Sequence, residues 1–137
     1  MKNILIVDDD EDLLFCYRII LEKEGRNVHT ATDVPEALEV IQLHKIDIAI
    51  LDFMLPKITG DKLAEKIFEQ DPEVKIVFIS GYDEAVEAVK KLDIKVYGVI
   101  RKPVEPELLE RFVKMDSDED LVPDFVDLPA QNLYSSI

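Results

Sequence analysis

Four short apolar runs of the sequence are each followed by polar side chains that could bind a cation or a phosphoryl group. If those runs are parallel strands of one sheet, their carboxyl ends meet at a single edge, where such sheets bind ligands. Three carboxylates, a hydroxyl group and an ammonium group would then lie close together. The motifs are Asp8-Asp9-Asp10, Asp52, Ser80-Gly81 and Lys102-Pro103.

The chemistry of these side chains indicates phosphoryl binding that depends on a divalent metal. Asp8, Asp9 and Asp52 would repel one another at close range, so either some of them hold a proton or a cation neutralises them. An all-oxygen ligand set suits Mg²⁺ or Mn²⁺ rather than zinc. Lys102 adds a compact positive charge and Ser80 adds a hydroxyl, so these side chains together with a metal could bind the oxygens of a phosphoryl group. One carboxylate could itself be the nucleophile.

Each motif also has a plain structural interpretation. Acids at residues 10–12 are explained by a favourable interaction with a helix dipole, worth about 0.3–1 kcal/mol each. That interaction explains Asp8 and Asp9 less well, because they close an apolar run. Asp52 could cap a turn, and Lys102 could be an ordinary surface lysine. The presence of all four motifs in one chain favours the shared site.

The elements that must position these residues are predicted from the hydrophobic pattern. Short apolar runs alternate with stretches in which apolar residues recur every three or four positions, as in strands buried on both faces and helices with one apolar face. Intervening helices allow parallel pairing, so a doubly wound α/β sandwich is predicted. A capping box at Asp33 and Glu36 and a helix stop at Gly25 agree with this division. The predicted strands are Asn3–Val7, Val28–Ala31, Ile46–Leu51, Lys75–Ile79 and Val96–Arg101.

The composition narrows the class of protein. The chain has 137 residues, 47% of them hydrophobic, and a formal net charge of −14, which suits one acidic domain with a substantial core. Such a polyanion is not expected to bind nucleic acid or anionic lipid directly. The single cysteine, Cys16, excludes an internal disulfide framework. Because no apolar run is long enough for a membrane span or a signal peptide, we expect a cytoplasmic protein.

Charge divides the chain into two parts. Residues 116–137 contain six acids, two prolines and no lysine or arginine, whereas residues 1–115 contain all the predicted strands and helices. We therefore expect a folded domain over 1–115 and an acidic tail or linker over 116–137, which need not be ordered. Apolar residues between positions 121 and 128 leave open that the tail docks on a surface.

Taken together, the motifs resemble the receiver domain of two-component response regulators over about residues 1–115. Pro56 and Gly60, four and eight positions after Asp52, add to the match. The resemblance implies a flavodoxin-like (βα)₅ three-layer sandwich with strand order 2-1-3-4-5. It also implies phosphorylation of one aspartate by a partner histidine kinase with Mg²⁺, or Mn²⁺, as cofactor. The matching segments are IVDDDED, ILDFMLPKITG, FISGY and VIRKPV.

The resemblance gives each acid of the site a role. Asp52 would be the phosphoacceptor and would also bind the metal. Asp9 would ligate Mg²⁺ directly, whereas Asp8 would act mainly through water. The backbone carbonyl of Met54 would be a further protein ligand. Met54 and Tyr82 also occupy positions that tune access of water in this family, so two bulky side chains there imply slow loss of the phosphate.

The resemblance also implies how the phosphorylated state is sensed. Ser80 would take a phosphoryl oxygen, and Lys102 would pair with the acceptor carboxylate and then with the phosphate. The bond to Pro103 is usually cis in this family, which would aim Lys102 into the site. Many receivers have an aromatic residue where this chain has Val99, so the usual aromatic switch does not carry over. Tyr97, two positions earlier, is predicted to lie on the same strand face as Val99.

The implied function is a phosphorylation-controlled switch rather than an enzyme acting on an external substrate. A sensor histidine kinase or phosphotransfer protein would donate the phosphate. An unknown target would then bind the face formed by the fourth helix, fifth strand and fifth helix. The resemblance leaves open a stand-alone protein or part of a longer regulator, and a monomer or a phosphorylation-dependent dimer. No direct contact with nucleic acid or membrane is expected.

Two alternative functions follow from the same residues. An aspartate-based phosphohydrolase is one, but such enzymes usually have a second acid two positions after the nucleophile, where this chain has Met54. A module that keeps the fold without being phosphorylated is the other. The complete set of acids, hydroxyl and lysine favours a phosphorylated switch over that module.

Overall fold

The structure is a computed structural model that describes residues 2–23, 25–81 and 84–114, with the backbone only at Glu84. Within these residues, ten elements alternate strictly between strand and helix. The strands are β1 (Asn3–Val7), β2 (Asn27–Ala31), β3 (Ile48–Asp52), β4 (Lys75–Ser80) and β5 (Val96–Arg101). The helices are α1 (Glu11–Glu22), α2 (Val34–Leu43), α3 (Gly60–Gln70), α4 (Glu84–Lys90) and α5 (Pro106–Val113).

All five strands are parallel, in the order β2-β1-β3-β4-β5. The predicted fold and strand order are therefore confirmed. Three strands differ slightly from their predicted bounds. β2 begins one residue earlier, at Asn27, and β3 begins two residues later, at Ile48. At their carboxyl ends β3 and β4 each extend one residue further, to Asp52, which pairs with Ile79, and to Ser80. Two of the candidate site residues are thus held in the sheet itself, which fixes their backbone positions.

The sheet has an apolar core on each face. One cluster joins the sheet to α2, α3 and α4, and the other joins it to α1 and α5. Fully buried strand residues supply both, with Leu5 on the first face and Ile4 on the second. This two-sided burial explains why the strands are apolar nearly throughout.

The faces of β5 differ from the prediction. Val99 packs in the cluster beneath α4, whereas Tyr97 packs in the cluster beneath α1 and α5. The prediction that the two share a face is wrong because the register shifts between β4 and β5 opposite Ile76 and Val77, as in a β-bulge. The extra residue reverses the alternation between Tyr97 and the rest of the strand.

Helix ends follow the predicted signals. Asp33 accepts a hydrogen bond from the Glu36 backbone N–H at 3.0 Å, and the Glu36 carboxylate accepts one from the Thr32 N–H at 2.7 Å. Gly25 has a φ of +77° just after α1, so its lack of a Cβ permits the left-handed turn. The capping box and the helix stop are both confirmed.

Part of the predicted organisation lies outside the described residues. The acidic tail over 116–137 is one such part, so the boundary at residue 115 stays a prediction. Within the described part of the chain, no helix has the length and apolar character that crossing a membrane requires.

Candidate functional site

Asp52 lies at the carboxyl end of β3, near the middle of the sheet, and is 5% exposed. One of its carboxylate oxygens, Oδ1, accepts a hydrogen bond from the Met54 backbone N–H at 3.1 Å. The other, Oδ2, accepts one from Lys102 Nζ at 3.1 Å. Each oxygen of this nearly buried carboxylate is therefore held in place by its own hydrogen-bond donor.

The loop after Asp52 folds back on the end of β3. The Gly60 N–H donates to the Phe53 carbonyl at 2.6 Å, and Met54 forms an isolated antiparallel bridge with Thr59. A Cβ on Gly60 would lie 2.6 Å from the Asp52 carbonyl oxygen and 2.9 Å from the Phe53 Cα. Glycine is required here because the start of α3 presses against the backbone of Asp52.

Asp8 and Asp9 follow β1 and differ in exposure. Asp8 is 1% exposed, and its Oδ1 accepts a hydrogen bond from the Asp10 backbone N–H at 2.9 Å. Its Oδ2 is buried without a hydrogen-bond partner, although Lys102 Nζ lies 3.6 Å away. Asp9 is exposed. The side chain of Asp10 caps α1 instead, accepting from the N–H groups of residues 12 and 13.

Lys102 connects the ends of two strands to the acids. Its backbone N–H donates to the Ser80 carbonyl at 2.9 Å, and Ser80 is 2% exposed at the end of β4. The peptide bond between Lys102 and Pro103 is cis. The Lys102 side chain, 30% exposed, reaches both Asp52 and Asp8. Its ammonium group therefore lies between the acids at the edge of the sheet.

The electrostatics of the site follow from two carboxylates sharing one ammonium group. Burial is the main cause that raises the pKa of Asp8 to about 6, and the negative charge of Asp52 raises it further. The hydrogen bond from the Asp10 backbone N–H acts in the opposite direction. Burial alone would lower the pKa of Lys102, but the charges of Asp52 and Asp8 outweigh it, so that pKa is raised. Burial and the same two acids also raise the pKa of Tyr17.

The arrangement of acids fits a hard divalent cation. Asp8, Asp9 and Asp52 each offer a carboxylate oxygen, and these three atoms lie within 4.8 Å of one another. Within the described residues, no other group of three acidic, histidine or cysteine side chains is so arranged. The buried Asp8 Oδ2 without a hydrogen-bond donor is the atom that a metal-bound water would satisfy. The residues present therefore fit Mg²⁺.

Beside the acids is an open cavity of about 480 Å³. It is large enough for a phosphoryl group. Its lining residues come from the ends of four loops and are Asp9, Asp52, Met54, Gly81 and Lys102.

Several candidate residues have surroundings that the sequence did not show. The backbone of Gly81 lines the cavity, for which the only sequence signal was a glycine at a strand end. Val99 is 4% exposed and pairs with Phe78 of β4, the strand that ends at Ser80, so Val99 is a core residue. The Met54 side chain is 51% exposed at the cavity. Tyr82 lies outside the described residues.

Comparisons with known proteins agree with this geometry. The family model described as the response regulator receiver domain matches residues 4–114. The solved CheY-like receiver domain protein from Methanospirillum hungatei JF-1 is similar, with a TM-score of 0.79 and 35% identity over 88% of this chain and 96% of that one. The response regulator TrrA from Thermotoga maritima, solved in complex with Mg²⁺-BeF, has a TM-score of 0.73 and 27% identity over 83% of this chain and 97% of its own.

A curated relative is longer than this chain. The alkaline phosphatase synthesis transcriptional regulatory protein PhoP of Bacillus subtilis (strain 168) is 33% identical over 113 residues, which is 82% of this chain and 47% of PhoP. The chain therefore spans about half the length of the curated relatives it matches. With the fold, the acidic site and the family match over 4–114, the chain belongs to the response regulator receiver domains of two-component systems.

Proposed function

We propose that Asp52 is the residue that accepts the phosphoryl group in this receiver. The observation that carries the proposal is one nearly buried carboxylate that contacts the Lys102 ammonium group at 3.1 Å and has two further acids beside it. Receiver domains bind Mg²⁺ at their acidic pocket. Asp52 therefore has one positive group beside it and would have a second when Mg²⁺ is bound.

Asp8, Asp9, Asp52 and the carbonyl oxygen of Met54 would hold the metal. When bound, Mg²⁺ neutralises the acids and the negative charge that spreads over the transferring phosphoryl group. Mn²⁺, which also prefers oxygen ligands, is proposed as a substitute.

The chain's own groups then position the transfer. An Asp52 carboxylate oxygen attacks the phosphorus of a phosphohistidine, forming an aspartyl phosphate P–O bond as the P–N bond to the imidazole breaks. Lys102 is within reach of the new phosphate because it already contacts the Asp52 Oδ2. Its raised pKa keeps the ammonium group charged at neutral pH.

The response to phosphorylation is proposed to begin at Ser80, whose hydroxyl would take a phosphoryl oxygen. Ser80 and Lys102 are joined by a backbone hydrogen bond, so their movements are linked at the ends of β4 and β5. That link supports a switch on the face formed by α4, β5 and α5. Val99 would transmit the change only by packing, because it has no ring to reorient.

The proposed donor is a sensor histidine kinase or a phosphotransfer protein, and the proposed setting is the cytoplasm. The exposed free thiol of Cys16 is compatible with a reducing compartment. The exposed Met54 side chain at the cavity supports slow loss of the phosphate, since it narrows the approach of water. The downstream target is unknown, and the proposal does not require direct contact with nucleic acid or membrane.

The test is phosphorylation of the purified chain by acetyl phosphate with Mg²⁺, followed by intact mass spectrometry. We expect addition of one phosphate to the wild type and none to Asp52→Asn. Asp93→Asn, which removes an exposed acid outside the site, is the matched control and should be labelled normally. Labelling of Asp52→Asn at the wild-type level would contradict the assignment.

Two further measurements on the same chain, phosphate release from an ordinary phosphate monoester and Mg²⁺ binding, separate the two alternatives. Release of many phosphates per chain from an ordinary phosphate monoester would indicate a hydrolase, and absence of both labelling and Mg²⁺ binding would indicate a module that is not phosphorylated. Lys102→Met should bind Mg²⁺ yet label much more slowly, with Lys91→Met as its control.

A further inference from the structure

Two large apolar side chains project from the outer side of α1. Phe15 is 64% exposed and Ile19 is 50% exposed, and their spacing of four residues places them next to each other on the helix. The opposite side of α1 is buried through Leu14, Tyr17 and Leu21. The pair, called here the apolar ridge, is therefore not required by the core. Two adjacent exposed apolar side chains of this size form a patch that another apolar segment can cover.

Lys23 follows Ile19 by four residues on the same side of α1, and it lines a groove that is locally basic. The groove lies between α1 and α5, and Lys23, Arg111 and Lys114 are its exposed bases. One of its two acids, Glu110, is paired with Arg26 at 2.8 Å and so contributes little free charge. These three bases, called here the basic end, place three positive charges at one groove of a chain with a net charge of −14. The groove is lined by Ile20, Lys23, Pro106, Glu107, Glu110, Arg111 and Lys114.

The chain leaves the described domain at this groove, because Lys114 is both the last described residue and part of the basic end. The sequence that follows has the complementary chemistry, with six acids and no base over 116–137. It also carries apolar residues, which are Leu121, Val122, Phe125, Val126 and Leu128.

The distances are compatible with a return of the chain onto α1. Six residues, 115–120, can span up to about 20 Å. From Lys23 to Phe15 the helix rises only about 12 Å. A segment that begins at residue 121 can therefore reach from the basic end to the apolar ridge.

We propose that residues 121–128 of this chain dock on the outer side of α1, with their apolar side chains on the apolar ridge and their acids toward the basic end. The contact is intramolecular, so a weak interaction suffices, since a short linker gives an effective concentration in the millimolar range. This occupant is favoured over a separate protein because the chain supplies the matching charge and apolar residues at the place where it leaves the domain. The proposal does not depend on phosphorylation of Asp52.

Cys16 provides the test, because it is the only cysteine and is exposed on α1, next to Phe15 and four residues before Ile20 of the groove. The measurement is the rate of Cys16 alkylation in the full chain. A variant with Leu121, Phe125 and Leu128 each replaced by Ser should react about two to ten times faster than the wild type at low salt. Raising the salt concentration should bring the two rates together, because it screens the acids from the basic end.

Matched variants identify the cause. Leu133→Ser with Tyr134→Ser changes apolar residues outside the docking segment and should leave Cys16 as protected as in the wild type. Arg111→Glu with Lys114→Glu should remove protection, whereas Lys66→Glu, an exposed charge on α3, should not. Equal rates for the wild type and the triple serine variant would overturn the proposal. Protection that grows with protein concentration would also overturn it, and would indicate a second copy as the occupant.

Discussion

At the carboxyl edge of the sheet, three carboxylates lie close together, two of them share one ammonium group, and a buried oxygen of Asp8 has no hydrogen-bond donor. At the amino edge, by contrast, neighbouring strands bond to one another. The Asp47 carboxylate accepts from the Asn3 backbone N–H at 2.7 Å, and the Asn27 amide donates to the Asn3 side chain at 2.9 Å. Arg26 holds Glu110 with two hydrogen bonds of 2.9 and 2.8 Å.

The difference shows what each edge contributes. Unsatisfied buried charge costs stability unless a ligand supplies the missing partner, so the carboxyl edge is arranged for binding. Satisfied polar groups at the amino edge fix the starts of the strands and the position of α5. The sheet separates the two edges, so the unsatisfied oxygen of Asp8 does not disturb the hydrogen bonds at the amino edge. Four substitutions test this contrast, beginning with the one expected to have the largest effect.

Gly60→Ala should cause the greatest loss of stability, about 3 kcal/mol, because the new methyl group would overlap the Asp52 carbonyl at 2.6 Å. Chemical denaturation measures the change. The control is Gly25→Ala on the other side of the molecule, where a Cβ would meet nothing within 4 Å and only the φ of +77° is unfavourable, at about 1 kcal/mol. Equal losses would show that the crowding at Asp52 is relieved by movement of α3.

Asp8→Asn should stabilise the metal-free protein by about 2 kcal/mol at pH 8. The Asp8 pKa is raised to about 6 in the folded state from 3.8, so folding must keep a buried charge at high pH. The wild type should lose stability as the pH rises from about 4 to 6 and change little from this group above that. The variant should lack that dependence on pH.

Added Mg²⁺ should make the wild type more stable than Asp8→Asn, which reverses their order of stability without the metal. The wild type gains stability on binding the metal, whereas Asp8→Asn binds it more weakly and gains less. Asp93→Asn, at an exposed position, serves as the control and should follow the wild type in both series. A variant less stable than the wild type without metal at pH 8 would contradict the view that Asp8 is held at a cost.

Arg26→Met should destabilise the protein by about 1.5 kcal/mol, because the Arg26 side chain is only 8% exposed and Glu110 would lose both hydrogen bonds. The hydrogen bonds from Arg26 lower the pKa of Glu110 from its ordinary 4.5. The contribution of the Arg26–Glu110 pair to stability is therefore complete above about pH 4.5, and it is lost as the pH falls through the lowered pKa of Glu110. Thermal unfolding at pH 7 and pH 3 should show a smaller difference between variant and wild type at pH 3.

The fold was predictable because local pattern and topology agree along most of the chain. Apolar runs such as that of β4, and helical spacing such as that of α1, are long enough to identify each element. The rule that parallel strands place their carboxyl ends at one edge then brought Asp8, Asp52 and Lys102 together. Their arrangement in the structure follows from sheet topology, which a sequence pattern can predict.

What could not be predicted depends on contacts between elements. The faces of β5 were misassigned at Tyr97, since a register shift depends on the packing of β5 against β4 and α5. Gly98 shows the constraint, because a Cβ there would lie 2.2 Å from the Phe112 ring. The missing hydrogen-bond donor of Asp8 is likewise invisible in sequence, because it depends on which neighbours of a buried oxygen happen to be polar.

Lys45→Ala tests whether pairing alone, without burial, explains the stability of the amino edge. Lys45 contacts Asp71 and Glu73, each at 3.0 Å, but its side chain is 61% exposed. Hydrogen bonds to Glu73 and then Asp71 raise the pKa of Lys45, yet water and salt screen an exposed ion pair. We therefore expect no measurable change in the unfolding midpoint at physiological salt. A loss as large as that of Arg26→Met would mean that the number of charge pairs, rather than their burial, distinguishes the two edges.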